Sequence, residues 1–546
     1  MIRSPLRKFL LGLALGSILL PAVGWGGELS AQELPWLGKG QARLDFAPKY
    51  WFWDTRYGYR VGPSGGIIEE DELLSMDLAK DPLGSETLPY LIDLESNLGQ
   101  AMGDEGFRVR LGASQAILAK SHLTFPFLLE VGVTDWLTVG AMVPMVRTRT
   151  EMDFILNGNA ENADVGLSPL VTMPSAVNGF LGNFEDVLSG ALEASPEDPT
   201  LLEAWAYLDA IRKAYQQGTL FPVEGSEAGG LLQARLDDLR SQLDGMGIVG
   251  VPTTVPLSEG YMTEAEFGEF LGTRRGMDAL PLEDFTSPWA LGDVEITASA
   301  LLLRGSREPD SLGNGMASRY QLGVGGLVRL GTGEPAVPYR FFSVDPAQGQ
   351  MDVEGSVFGR AEIGDRFGGW GHFRYGFQLE GEATRRITDP DGVLPNWRRT
   401  APLRWTPGNY MDLELSPWFN FTPEMTFGVR YHFWHKGQDE YALQDMDPEA
   451  AALLNYPDPA LLNLETEQTL QEVGISATYS TRAANDRGEA RFPVLIRATY
   501  FRPISGSGGQ TPKGSRLQVG LTLFRSIWGG RNDPSVESQE LPGMLP

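Results

Sequence analysis

The chain has 546 residues, no cysteine and a formal net charge of −27, with 42% hydrophobic residues and 66 glycines. The acidic balance argues against a nucleic-acid partner, because phosphate binding needs clustered lysine and arginine. The missing thiols exclude disulfides, thiolate metal sites and a lipid-bearing N-terminal cysteine, and they suit an oxidising periplasm.

The first residues read as a secretory signal. Arg3, Arg7 and Lys8 precede a short apolar run from Phe9 to Val23, and Leu29-Ser30-Ala31 before Gln32 offers a cleavage site. The run is shorter than the roughly 20 residues a helical span needs. Export with removal of residues 1–31 is the expectation, and the mature chain is then periplasmic, secreted or a membrane barrel.

Alternation along the chain decides among these. A barrel strand needs about 9–11 residues, apolar toward lipid and polar toward the lumen. The pattern is faint at 42–54 and clear at 107–118, 123–133 and 137–149. After a break it returns at 292–304, 316–330, 351–363, 372–380, 411–420, 425–434, 469–481, 492–502 and 515–527. In the segment 425–434, Met425, Phe427, Val429, Tyr431 and Phe433 oppose Thr426, Gly428, Arg430, His432 and Trp434. One such segment fits any half-buried sheet, but a dozen with charged inner faces cannot all pack on a dry core. The expected fold class is all-β, an antiparallel transmembrane β-barrel of about 12–14 strands carrying an α-helical extracellular insert.

These segments number thirteen, whereas single-chain bacterial barrels are even-stranded. Either a strand hides within 57–105, near Tyr90, Ile92 and Leu94, or 42–54 lies outside the barrel. Fourteen strands is the preferred expectation. Short links at Thr134-Asp135, Asp365–Gly369 and Thr422–Glu424 alternate with long ones at 155–290, 331–350, 387–408 and 438–467. Short turns are periplasmic and long loops extracellular in outer-membrane barrels, so 155–290 is expected outside the cell. The expected layout is then strands in 32–154, the insert 155–290, strands again in 291–528 and a periplasmic tail 529–546.

The insert does not alternate. Leu201, Ala204, Trp205, Leu208, Ile211 and Tyr215 follow helical spacing, as do Leu232, Leu236, Leu239 and Leu243, which end at Gly245. Two amphipathic helices this close suggest a hairpin packed on itself or on the barrel, as a cap, a plug or a partner-binding surface.

Two motifs carry a family resemblance. Leu129-Glu130-Val131-Gly132-Val133-Thr134-Asp135-Trp136-Leu137, with Gly140 and Pro144 beyond it, and Leu291-Gly292-Asp293 resemble segments of the outer-membrane putative transporters related to the phenol meta-pathway degradation proteins. The resemblance implies a tight turn at Gly132–Asp135 and a strand opening at Gly292-Asp293. It also implies passage of small solutes, hydrophobic or aromatic ones included. Physically, Gly132 permits a close approach and Asp135 can cap the turn.

The alternation points charges of both signs inward, among them Arg108, Arg110, Glu130, Arg374, Glu380, Asp412, Glu414, Arg430 and Arg497. Such residues line a pore or neutralise one another inside a narrow barrel. Folding 409–420 onto 425–437 sets Glu414 near Arg430 and Asp412 near His432, cross-strand pairs contributing about 0.2–1 kcal/mol each. His372, expected at the periplasmic start of its strand, should not reach His432. An Asp–His pair suits a water-activating hydrolase, and Ser121-His122 is a second candidate, on a short extracellular link. Both read more simply as structure. Acidic loops such as Glu69-Glu70-Asp71-Glu72 read as solvated charge. No cofactor or metal signature is present. The expected partners are membrane lipid and a small-molecule solute; the sequence does not bear on oligomeric state.

Overall fold

The computed structural model describes residues 36–528, apart from 62–66, 218, 275, 308–315, 335–336, 345–346, 348, 391 and 445–455. The expected signal peptide and the tail 529–546 lie outside the described residues. Alternating side chains favour extended backbone, because a strand then gives each kind its own face. Twelve strands form one closed antiparallel meander. The first half comprises β1 (Gln41–Phe46, resuming as Lys49–Trp53), β2 (Ala113–Gly132), β3 (Leu137–Asn157), β4 (Val294–Arg307), β5 (Ser318–Leu330) and β6 (Asp352–Ile363). The second comprises β7 (Phe367–Gln378), β8 (Tyr410–Asn420), β9 (Met425–Lys436), β10 (Gln468–Ser480), β11 (Val494–Ser507) and β12 (Ser515–Ser526). Each pairs with its neighbours in the chain, and β1 pairs with β12, Leu44 opposite Leu523, which closes the ring.

Twelve strands fall within the expected 12–14, and the preferred count of fourteen is corrected. Segments 107–118 and 123–133 are not two strands, because β2 runs unbroken for 20 residues against β3, from Ala113 opposite Asn157 to Gly132 opposite Thr138. Ser121 and His122 therefore sit mid-strand, and 42–54 belongs to the barrel. The region of Tyr90, Ile92 and Leu94 holds a helix, α1 (Leu91–Met102), whose buried Leu91, Leu94 and Leu98 are spaced by three and four. A spacing of two there caught only a fragment of a helical stripe. The strands that do occur nearby, Thr55–Val61 and Ile67–Leu73, pair with each other and with Thr511–Pro512 away from the ring. β7 starts at Phe367 rather than His372, which places His372 in mid-strand, opposite Glu414.

The outer wall is apolar. Leu129, Val139, Phe373, Phe377, Leu415, Val429, Ile475, Ile496 and Val519 are exposed there, while Glu130, Thr138, Arg374, Glu414, Arg430 and Arg497 are buried inward. This inversion of a soluble sandwich suits lipid outside. Trp136, Phe421, Phe492 and Trp528 are exposed around the short-turn end, where amphipathic rings favour a membrane interface.

β2 and β3, at 20 and 21 residues, outrun the 11–14 residues of β4 to β12. Outward positions on β3 change from Val139 and Val143 to Arg147, Arg149, Glu151 and Asp153 as it rises. The upper ribbon has therefore left the apolar band, and it carries a helical cap. The cap contains α2 (Pro174–Ala194), α3 (Pro199–Gln217), α4 (Glu227–Gly245) and α5 (Glu264–Gly272). The stripes of α3 and α4 are buried apart from the half-buried Trp205, and so are Val177, Phe180, Phe184 and Leu188 of α2. They share one core with α1 and with Leu118, Met152, Phe154 and Leu156 of the ribbon. Ser226 caps α4, and Thr263 with Glu266 forms a reciprocal capping box on α5.

Connections from opposite sides of the ring meet over the mouth. Leu394, between β7 and β8, donates its backbone N–H to the Thr87 carbonyl, between β1 and β2, at 3.0 Å. Arg386 donates to the carbonyls of Met277 at 2.7 Å, Asp278 at 2.6 Å and Pro395 at 2.9 Å. Burial lowers its pKa from the ordinary arginine value. Charged hydrogen bonds contribute about 1.5–3 kcal/mol each, so Arg386→Ala should loosen the cap while the barrel stays closed. Faster proteolysis between α5 and β4, with unchanged heat-shifted migration of the barrel on SDS gels, is the expected result.

Candidate functional site

The lumen is filled by its own lining. Arg43, Arg430 and Arg497 point inward and are each exposed by 1% or less, which a wall facing a wide water column would not show. Most of the charges are paired along the wall. On β5, Arg329 joins Glu295 of β4 at 2.9 Å and Asp352 of β6 at 2.5 Å. On β7, Arg374 joins Asp412 of β8 at 2.6 Å, and Tyr410 donates to Glu354 at 3.0 Å. His432 on β9 bridges Asp412 at 3.0 Å and Glu472 of β10 at 2.9 Å, and Arg516 of β12 completes the belt on Glu472 at 2.6 Å. Arg430 pairs with Glu414, and Arg430 and Arg516 both lie over the Phe501 ring, at 5.3 and 4.4 Å.

Of the sequence-derived candidates, Arg374, Asp412, Glu414, Arg430, His432 and Arg497 all reach the lumen. The pairs Glu414–Arg430 and Asp412–His432 form diagonally, since the rungs set Glu414 opposite His432 and Asp412 opposite Trp434. His372 and His432 flank Glu414 on the same rung, contrary to the expected separation. Glu380 does not face the lumen. It lies beyond β7, is exposed, and sits near Arg404 at 3.8 Å. Arg108 and Arg110 precede β2, and Arg110 binds Asp164 of the cap at 2.8 Å. Ser121 and His122 are consecutive on a strand and so point to opposite faces, which prevents a nucleophile–base pair between them. Among the described residues no group of three or more histidine, aspartate or glutamate side chains is gathered for a metal ion.

The two sequence motifs do structural work that spacing did not reveal. Thr134, not Asp135, caps the β2–β3 turn, its hydroxyl accepting from Leu137 N–H at 3.0 Å. Asp135 instead accepts from the backbone of Lys39 at 3.3 Å. Gly40 N–H donates to the Gly132 carbonyl at 2.8 Å, and Leu37 N–H donates to Thr138 Oγ1 at 2.6 Å. Trp36 packs against the inward Phe358, Trp370 and Trp418 of β6, β7 and β8. Those strands stand across the ring from β2 and β3, so residues 36–40 cross the lumen at the short-turn end as an arm. Gly132 is glycine because a Cβ there would run into the carbonyl oxygen of Gly38. Gly292 donates to the Pro144 carbonyl at 2.9 Å, and Asp293 accepts from Gly333 N–H at 2.9 Å, tying the start of β4 to the loop after β5. The arm was invisible in the sequence because nothing alternates or repeats in it.

No family model matches the sequence, and no curated protein matches it. Among solved structures, the chain is similar to an outer membrane channel from Pseudomonas putida F1 at 8% identity, covering 91% of this chain and 100% of that one, with a TM-score of 0.39. It is similar to the toluene transporter TbuX of Ralstonia pickettii at 10% identity, covering 90% of each chain, with a TM-score of 0.26. The translocator domain of the autotransporter NalP from Neisseria meningitidis is matched at 7% identity over 89% of each chain, with a TM-score of 0.27.

Two substitutions probe the site. Arg430→Met takes the arginine partner from buried Glu414, and breaking one partner of a buried pair costs about 3–5 kcal/mol. Urea unfolding should register that loss, and adding Glu414→Met should recover most of it. Gly132→Ala should push the arm off the wall. Faster proteolytic cleavage ahead of β1, with unchanged heat-shifted migration of the barrel, is the expected sign.

Proposed function

We propose that this chain is an outer-membrane channel for small solutes, held shut at rest by its N-terminal arm, its luminal ion pairs and its cap. The observation that carries the reading is the inverted barrel, with exposed Phe373, Leu415 and Val429 outside and buried Arg374, Glu414 and Arg430 inside. A polar interior suits the passage of solutes once the segments that fill it have moved. Aromatic compounds enter as solutes through the resemblance of the Gly132–Asp135 and Gly292-Asp293 segments, and Trp36, Trp370, Trp418 and Phe358 offer rings along the way.

The closed lumen makes movement a requirement. The arm is the element to move, because it is tethered by a few backbone hydrogen bonds whereas the ring is continuous. Asp412 and His432 serve here as a paired section of wall: His432 is held between Asp412 and Glu472, and its role is positional.

Planar-bilayer recording tests this reading. The full chain should conduct rarely, and deletion of residues 36–40 should raise open probability and speed uptake of a small aromatic solute into liposomes. Because arginines and carboxylates are paired along the wall, the open state should discriminate weakly between potassium and chloride. A barrel that passes neither ions nor solute, with or without the arm, refutes the channel and favours a structural barrel that displays the helical cap.

A further inference from the structure

Near the cap end, the outside of the wall carries a groove of about 470 Å³. Its floor is one row of side chains on three strands, Tyr375 opposite Met411 and Met411 opposite His435. Their sequence neighbours Arg374, Asp412 and Trp434 are buried inward, so this row faces outward. Its polar side is formed by Asn409, Gln438 and Glu440, at the foot of a small sheet made by Gly381–Arg386, Thr400–Thr406 and Glu440–Leu443. Tyr375 is 38% exposed, and its ring is steadied edge-on by Phe377 with centroids 4.9 Å apart. His435 is fixed by Thr469 Oγ1 at 3.0 Å.

Position, charge and chemistry narrow the occupant. On β8 and β9 the groove sits where the apolar wall gives way to Asn409, Gln438 and Glu440, while at the end of β7 Phe377 and Leu379 stay exposed beyond Tyr375. A molecule seated in it therefore has one part beside apolar wall and one part beside polar side chains. Below it the wall continues with the exposed rings and branches of Phe373 and Leu415. Among the described residues that line the groove there is no lysine or arginine, and Glu440 adds a carboxylate. A phosphate headgroup would meet repulsion there. An aromatic face beside two amides, an imidazole and a carboxylate suits a hydroxyl-rich ring. The C–H face of such a ring lies on tyrosine while its hydroxyls bond the Asn409 amide, Gln438 Oε1 and the carboxylate. Gln438 Nε2 already donates to the Asn463 carbonyl at 3.1 Å, which holds that side chain in place.

We propose that this groove binds the glycosyl headgroup of an outer-leaflet amphiphile, whose alkyl chain lies down the wall past Phe373 and Leu415. The proposal rests on the barrel sitting in a membrane and is independent of whether the lumen conducts.

The test uses the full chain folded in lauryldimethylamine oxide, a detergent without a sugar. Dodecyl maltoside, dodecylphosphocholine and free maltose are titrated separately, and native mass spectrometry counts the bound molecules. Selective retention of the maltoside is expected, with roughly tenfold weaker binding in Tyr375→Ala. Asn409→Ala and Gln438→Ala should weaken it as well, and heat-shifted migration on SDS gels confirms that each variant is folded. Equal retention of dodecylphosphocholine, or binding indifferent to all three substitutions, overturns the proposal. Free maltose binding as tightly as the maltoside also overturns it, in favour of a soluble sugar. Conductance measured on the same samples keeps the two readings apart: a barrel that holds the maltoside but never conducts retains the groove and loses the channel.

Discussion

A strand in hydrocarbon has no water to satisfy its N–H and C=O groups, so each strand must have a partner on both sides. Pairing of β1 with β12 is the contact that meets this demand, and the rest of the architecture depends on it. With an even number of strands and the ring closed, both ends of the meander fall at the short-turn end. That places the segment ahead of β1 beside the lumen, from which residues 36–40 enter it. Even the interruption of β1 respects the constraint. Pro48 cannot donate a hydrogen bond, yet its carbonyl still accepts from Val519 at 3.0 Å.

Closure around twelve strands creates an interior that side chains must fill. Long arginines do much of this, and they bring charge that must be met. Glutamate and aspartate from neighbouring strands meet it, which turns the lining into a lateral belt from β4 to β12. Aromatic rings fill what remains, and small inward residues make room for them: a Cβ at Gly368 would strike Trp418, one at Gly376 would strike Tyr410, and one at Gly474 would press on Phe501. An interior packed this way is tight because most of its charges are matched across neighbouring strands. The arm, which is not part of the ring, crosses the lumen at the short-turn end, and bridged loops span the other mouth.

The cap follows from the same wall. β2 and β3 continue past the apolar band as a polar ribbon, and a two-stranded ribbon alone is only marginally stable. Its inward residues Leu118, Met152, Phe154 and Leu156 are covered by helices, and the helices hide their own stripes against one another. Loops from across the ring then dock on this body through Arg386 and Leu394.

Inside the strands, period-two alternation separates the two faces of the wall, because a strand's faces are set by parity alone. Arg374, Asp412, Glu414, Arg430, His432 and Arg497 were legible for that reason, as were the stripes of α3 and α4 from their spacing. Beyond the strand ends alternation fails, and Glu380, Arg108 and Arg110 lie elsewhere. Parity does not say where a strand ends, so by itself it divides β2 at Ser121-His122 and carries Glu380 past the end of β7. Nor does it separate a helix from a strand over five residues, which is how Tyr90, Ile92 and Leu94 were misread. Only the tertiary structure decided the count of twelve, the diagonal partners along the belt, the meeting of loops over the mouth and the arm against Gly132. Each of these depends on contacts between residues far apart in the chain, and no local period encodes such a distance.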